Sequence, residues 1–426
     1  MRHTLLFFTI AALTVLALCN YVISGYELLY PPVVLCSVWV LDLFLVWCSA
    51  GFLYPISNDA LFFFLFGSIA FSMGAAFVSR IAPKPAALEA SPTSDRLITW
   101  GVVLLFAIAP IFYYRLASVA GGYGAPTFLM SARMAILDLA EGGKDTFFDT
   151  VGSTSILIAL IAFNEREKSK VRAAVAVLLA FVLNVMTGGR AELVFLALGC
   201  ICIDWIKIRR MRWNLALPIL LFFLVSFGTM AFFLHKGIGP GDSAGEALSA
   251  AGKQVVLYSA GGPVGFGEVI KQPNLVSHNW QVDHFILQVA KKLGADVEVP
   301  SQHSEFLALG PGGLISNVYT MYFGYMDWGM TGMMLLLFVA GLVITVIFQH
   351  ALVNPRTPVL VYAILFTQTV LSVFSENFYR GVGTTLRMFL FAWTIYNAPA
   401  WLQRFRRVMA QAASAHLRQT ELPPLP

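Results

Sequence analysis

Apolar runs long enough to cross a bilayer recur along the chain at about 4–23, 32–50, 60–79, 97–117, 149–163, 171–187, 191–206, 214–234, 329–350, 358–375 and 383–402. A spanning helix needs roughly 20 such residues, and the fifth and sixth runs are the shortest. Turn chemistry separates them, as in Ser24-Gly25, Pro31-Pro32 and Tyr54-Pro55-Ile56-Ser57-Asn58-Asp59. The pattern predicts an all-α polytopic membrane protein of about eleven helices. It divides into N-terminal transmembrane helices (1–234), one long external loop (235–328), C-terminal transmembrane helices (329–403) and a cytoplasmic tail (404–426). The loop cannot sit in lipid, and it is expected to form a lid over charged helix ends. Within it, Ser277–Leu293 reads as an amphipathic helix: Val282, Phe285, Ile286, Val289 and Leu293 recur at helical spacing, opposite Asp283, Gln288, Lys291 and Lys292. Ser277 or Asn279 would cap its start and Gly294 its end. A helix lying in the membrane interface is the alternative reading of that stripe.

Composition agrees with the pattern. The chain is 58% hydrophobic and 12% charged over 426 residues, with a mean hydropathy of +0.74. A soluble domain rarely approaches this. A formal charge of +5 is small for the length and gives no footprint for nucleic acid. The five cysteines (Cys19, Cys36, Cys48, Cys200 and Cys202) lie inside apolar runs and suggest neither a disulfide framework nor a metal cluster. Met1 opens a run that reads as an uncleaved first helix, because Leu18 before Cys19 is not the small residue that a lipoprotein cleavage site wants.

Lysine and arginine set the orientation. The clusters 165–172, 207–212, 354–356 and 404–407 fall on one side under these spans, with Arg80, Lys84 and Arg96, and that side is cytoplasmic. The loops 118–148 and 235–328 and the turns Thr187–Arg190 and Glu376–Gly381 are then external. The same parity places Met1-Arg2-His3 outside, against the charge rule.

Charges that lipid disfavours carry the candidate chemistry. Arg190 follows Gly188-Gly189 at the start of a helix, where backbone N–H groups and a guanidinium make a seat for a phosphate. An interfacial arginine reaching for headgroups is the other reading. Arg380, Thr384 and Arg387 stand at i, i+4 and i+7 of the last helix, with Arg387 about two turns below the surface. A cation there needs a polar cavity, an anion, or a partner such as Asp42 or Glu192. Arg190, Arg380 and Arg387 together suggest two walls of an outward-opening anion cavity, rimmed by Arg115 and Arg133. For acid–base work the external pool is Asp283, Glu305, Glu268, Asp327, Glu376 and the histidines His278, His284 and His303. His303-Ser304-Glu305 is a compact pair, although each such residue taken singly is more often a surface group. The chain has no P-loop, GxSxG, H-E-x-x-H or Asp-x-Asp motif, so neither a nucleotide donor, a cofactor nor a bound metal is expected.

Asn317-Val318-Tyr319-Thr320, followed by Asp327-Trp328-Gly329-Met330-Thr331-Gly332, and the Gly188-Gly189-Arg190 turn resemble motifs of the Wzy-type O-antigen polymerases, the oligosaccharide repeat-unit polymerases of bacterial envelopes. The layout is similar too: about a dozen helices, a long late external loop, then a short arginine-bearing external turn. The resemblance implies a GT-C-like fold of 11–12 transmembrane helices in the bacterial inner membrane, with the active site facing the periplasm. It implies inverting, metal-independent glycosyl transfer between undecaprenyl-diphosphate-linked oligosaccharides, in membrane lipid, with a chain-length regulator protein as a possible partner. Arg190, Arg380 and Arg387 would hold the diphosphate, and Glu305, His303 or Asp283 would act as base. Asn317, Tyr319, Asp327, Glu376 and Asn377 would contact sugar. An O-antigen ligase joining the same donor to lipid A core, and a lipid-linked oligosaccharide flippase or other transporter, are the competing readings.

Overall fold

The computed structural model describes residues 2–81, 95–122, 127–141, 147–188, 190–214, 216–219, 221, 244–273, 282–297, 299, 306–311, 314–317 and 319–420. Helices α1 (Arg2–Ile23), α2 (Pro31–Cys48), α3 (Asn58–Ile81), α4 (Asp95–Ala120), α5 (Phe128–Glu141), α6 (Phe147–Asn164), α7 (Lys170–Met186) and α8 (Arg190–Ile208) make the first half. The second half has α9 (Ala244–Lys271), α10 (His284–Lys292), a two-stranded hairpin β1 (Leu307–Ala308) and β2 (Ile315–Ser316), α11 (Thr320–Phe323), α12 (Gly329–Val353), α13 (Thr357–Val370) and α14 (Val382–Thr420). Six segments are long and apolar enough to cross a membrane: Thr4–Ile23, Pro31–Cys48, Asn58–Ile81, Asp95–Ala120, Phe147–Asn164 and Met326–Val353. Thr357–Val373 is a shorter apolar helix. The expected span 214–234 lies largely outside the described residues. The last helix runs through Pro399 as far as Thr420, so much of the expected tail is helical.

The centre of the bundle is the pairing of α12 with α3. A Cβ at Gly74 would lie 2.0 Å from the Phe338 carbonyl oxygen, and one at Gly341 would lie 2.1 Å from that of Phe71. Only glycine lets two backbones approach this closely, the usual device of membrane helix packing. Beside this crossing, Trp39 of α2 stacks on Phe64 of α3 at 4.6 Å, and Tyr322 of α11 meets both rings at 5.0 Å. Phe266 of α9 joins them, 5.8 Å from Phe64. The long segment expected to be a lid therefore also supplies core: residues 260–267 of α9 are buried against α2 and α3.

The basic loops converge on one end. Arg209 pairs with Glu27 at 2.9 Å and donates to the Leu352 carbonyl at 2.7 Å. Asn164 donates to the Pro355 carbonyl at 3.0 Å, and Tyr30 meets Ser79 at 3.1 Å. Arg172 pairs with Asp95 at 2.5 Å. The ends of α1, α3, α6, α8 and α12 therefore meet there, and Arg2 begins α1 at the opposite end.

Candidate functional site

The end remote from the basic loops gathers the chemistry. Its organiser is Glu376, in the turn between α13 and α14, where it has no exposed surface. Its carboxylate accepts from the backbone N–H of Phe378 (2.7 Å), Tyr379 (3.0 Å) and Arg380 (2.9 Å), and from the Tyr325 hydroxyl at 3.1 Å. Burial pushes this carboxyl up from its ordinary value, and those four donors oppose the rise. Local sequence explains the turn. An acidic residue just before a run of free N–H groups satisfies them as an N-cap does. Gly381 follows because a Cβ there would lie 2.2 Å from the Asn377 carbonyl oxygen. Asn377 ties the turn down by donating to the Ser375 (3.0 Å) and Leu371 (3.3 Å) carbonyls.

The Tyr319–Gly332 stretch packs on this turn. Thr320 forms a bridge with Ser375 and holds a left-handed φ of 71°, which is unfavourable for a β-branched residue. Tyr379 donates to the Leu336 carbonyl at 2.7 Å, fastening the turn to α12. The two motifs that the sequence separates by about fifty residues are thus one structural unit, with the Tyr325–Glu376 hydrogen bond at its centre.

Helix α10 lies over the unit. A Cβ on Gly383 would touch the Phe285 ring at 3.5 Å. His284 is buried next to Arg380, and burial followed by that guanidinium pushes the imidazole below its ordinary value. The Gln288 amide nitrogen lies 2.8 Å from His284 Nε2, an arrangement that needs an unprotonated acceptor at that ring nitrogen. Asp283 is partly buried. Its carboxyl is pushed up by burial and then by the neighbouring Asp327, which is exposed.

Arg387 stands apart from these pairs. It is exposed, and it donates to Ser153 Oγ of α6 (3.1 Å), Thr384 Oγ1 (3.3 Å) and the Gly383 carbonyl (3.4 Å), all neutral oxygens. It forms no ion pair among the described residues, so the alternatives of Asp42 and Glu192 are not its partners. Asp42 is buried within α2 instead. The polar path continues from Ser153 to its neighbour Gly152, whose carbonyl accepts from Asn184 at 3.4 Å. Thr187 donates to the Asn184 carbonyl at 2.8 Å, which leads to Gly188 in the left-handed region at φ 67° and the start of α8 at Arg190. A Cβ at Gly188 would meet Arg133 at 3.4 Å, so this arginine borders the turn. Arg115 lies 4.6 Å from the Phe147 ring.

Several expectations need correction. Arg380 precedes α14, which begins at Val382, so it belongs to the Glu376 turn and not to a helical face shared with Thr384 and Arg387. Tyr319, expected to contact sugar, is 2% exposed and packs edge-on against Phe323 at 5.1 Å. Glu376, assigned the same role, is a buried acceptor. Asn377 is a turn brace, whereas Asn317 is half-buried beside β2 and Asp327 is exposed. Glu305, His303, His278 and the Arg190 side chain lie outside the described residues, as do the expected caps Ser277 and Asn279. The helix after them begins at His284, and Gly294, at φ 93°, follows its end. Sequence reasoning missed Tyr325 and Ser153. Tyr325 lies between the two quoted motifs, whereas nothing local marks Ser153. Among the described residues, no group of three or more His, Cys, Asp or Glu side chains converges.

Comparison with protein-family models, with curated proteins and with solved structures finds no match to this chain.

Proposed function

We propose that the chain is a membrane glycosyltransferase of the Wzy type, GT-C-like with 11–12 spans, which polymerises undecaprenyl-diphosphate-linked repeat units at the periplasmic face of the bacterial inner membrane. One observation carries the reading: Arg387 is an exposed cation on the last helix, at the end remote from the basic loops, with only neutral oxygens as described partners. A guanidinium held by hydroxyls and a carbonyl keeps its charge available for an anion, and a diphosphate with an apolar tail would reach it from the membrane. The start of α8 at Arg190 supplies N–H groups on the other side of the Ser153–Asn184 path. In the proposed step, an acceptor sugar hydroxyl attacks the donor anomeric carbon and its proton passes to a carboxylate. The C–O bond to undecaprenyl diphosphate breaks, and the arginines hold the departing charge. Asp283, with its raised carboxyl, is the base candidate among the described residues, and Glu305 and His303 remain candidates with it. Asp327 and Asn317 are the polar groups proposed near an incoming sugar.

The test is reconstitution of the purified chain with undecaprenyl-diphosphate-linked repeat units alone. A ladder of longer lipid-linked glycans with release of undecaprenyl diphosphate is expected, without nucleotide sugar and unaffected by chelator. Product only after lipid A core is added would make it a ligase. Translocation without lengthening would make it a transporter.

A further inference from the structure

A second site lies at the opposite end of the bundle, and it does not depend on the proposed activity. Between α7 and α8 runs a cavity of about 330 Å³, lined by Ala173, Val177 and Phe181 on one helix, Leu193 and Ala197 on the other, and Ile219 beyond them. Apart from Arg166 and Lys170, the described lining residues are apolar or a cysteine. The α7 part, from Lys170 to Phe181, rises roughly 16 Å, about half of a hydrocarbon core roughly 30 Å thick. The groove is therefore about one leaflet deep, and its mouth opens at the basic end.

That mouth carries unbalanced positive charge. Arg166 pairs with Asp204, and the same carboxylate accepts from Arg212 Nε at 2.9 Å. One carboxylate thus serves two arginines. Lys170 is exposed and forms no ion pair among the described residues. Arg166 is itself fixed, with its guanidinium 4.4 Å from the Phe163 ring and a 3.2 Å hydrogen bond to the Phe163 carbonyl. A fixed arginine and an exposed lysine above an apolar trough one leaflet deep match one kind of molecule. We infer that this groove binds an anionic membrane phospholipid of the leaflet on the basic side, with an acyl chain between α7 and α8 and the phosphate at Arg166 and Lys170.

The full chain, purified in neutral detergent and stripped of lipid, is titrated with phosphatidylglycerol or phosphatidylcholine, and bound lipid is counted by native mass spectrometry. Wild type should retain phosphatidylglycerol in preference to phosphatidylcholine. Lys170→Gln should reduce that preference about fivefold, the effect of one surface cation. Ala174→Trp, at an exposed lining position, should fill the groove and weaken binding of both lipids. Leu178→Trp, exposed on α7 but outside the lining, should leave binding unchanged. The inference is overturned if wild type binds neither lipid. Equal retention of the two lipids, an unaltered preference in Lys170→Gln, wild-type binding by Ala174→Trp, or an equal loss in Leu178→Trp would overturn it too.

Discussion

At the scale of single residues, the site contrasts two charges with different fates. Glu376 is wholly buried and its acceptor capacity is used by three backbone N–H groups and a tyrosine. Removing a buried acceptor strands its donors, so Glu376→Ala should cost about 3–5 kcal/mol and lower the thermal midpoint of the purified protein sharply. Tyr325→Phe removes one hydrogen bond and should cost about 1 kcal/mol, and the double variant should lose less than the sum. Additive losses would mean that the Tyr325–Glu376 bond is not formed. Arg387 is the converse: exposed, bonded to neutral oxygens, and therefore dispensable for folding. Arg387→Ala should keep the thermal midpoint and lower polymerisation roughly 30- to 1,000-fold, with lysine a poor substitute because it lacks the planar fork. Normal chain lengths in the alanine variant would remove Arg387 from the mechanism. Sequence alone marks Arg387 and Glu376 as charges near lipid but does not separate these fates. Spacing along a chain carries no information about Ser153, more than two hundred residues away from its arginine, or about Tyr325 as a donor.

At the scale of elements, α10 is the part most sensitive to conditions. His284 sits below its ordinary 6.5 because of burial and then Arg380. A value depressed in the docked state means that the undocked state binds the proton more tightly. Docking is therefore fully favourable above about 6.5 and weakens as pH falls through the depressed value. Asp283 works in the other direction: its carboxyl is raised above 3.8 by burial and Asp327, so acid relieves rather than creates repulsion there. His284 should dominate between neutral and mildly acidic pH. Hydrogen exchange of the 284–292 amides, corrected for intrinsic rate, should rise severalfold from pH 7.5 to 5.5 while α12 is unchanged. His284→Gln should abolish that difference, and equal protection at both pH values in the wild type would detach His284 from the docking of α10. The helices themselves were legible, since apolar runs near 4–23, 60–79, 97–117 and 329–350 each became one element. The direction of α10 was not. Its Ile286, Val289 and Leu293 stripe is exposed, and His284 is the buried position. Periodicity identifies a two-faced helix, but tertiary contacts decide which face turns inward.

At the scale of the whole molecule, the loops settle which helix ends belong together, and the first helix is the sharpest case. Charge counting left Met1-Arg2-His3 in conflict with the remaining loops, because two basic residues at a terminus pull against a larger basic set elsewhere. The structure has α1 ending at the basic end, where Glu27 pairs with Arg209 and Tyr362 donates to the Leu29 carbonyl. The α2–α3 turn is at the other end, where the Tyr54 N–H donates to the Leu309 carbonyl at 2.7 Å. The N-terminal charges therefore lie at the end opposite the later basic loops, and α1, α2 and α3 alternate in direction. The prediction is a pattern of labelling in intact cells. In a background with the five native cysteines replaced, single cysteines at Glu27, Ser169 and Arg210 should all resist an impermeant thiol reagent, whereas cysteines at Gly51 and Pro311 should react. Equal reactivity at Glu27 and Gly51 would remove α2 as a membrane span. Reaction at Ser169 and Arg210 with protection at Gly51 and Pro311 would invert the molecule and place Arg387 on the side of the basic loops. Inversion would also move the phospholipid groove to the outer leaflet, so one labelling series assigns a side of the membrane to both proposed sites.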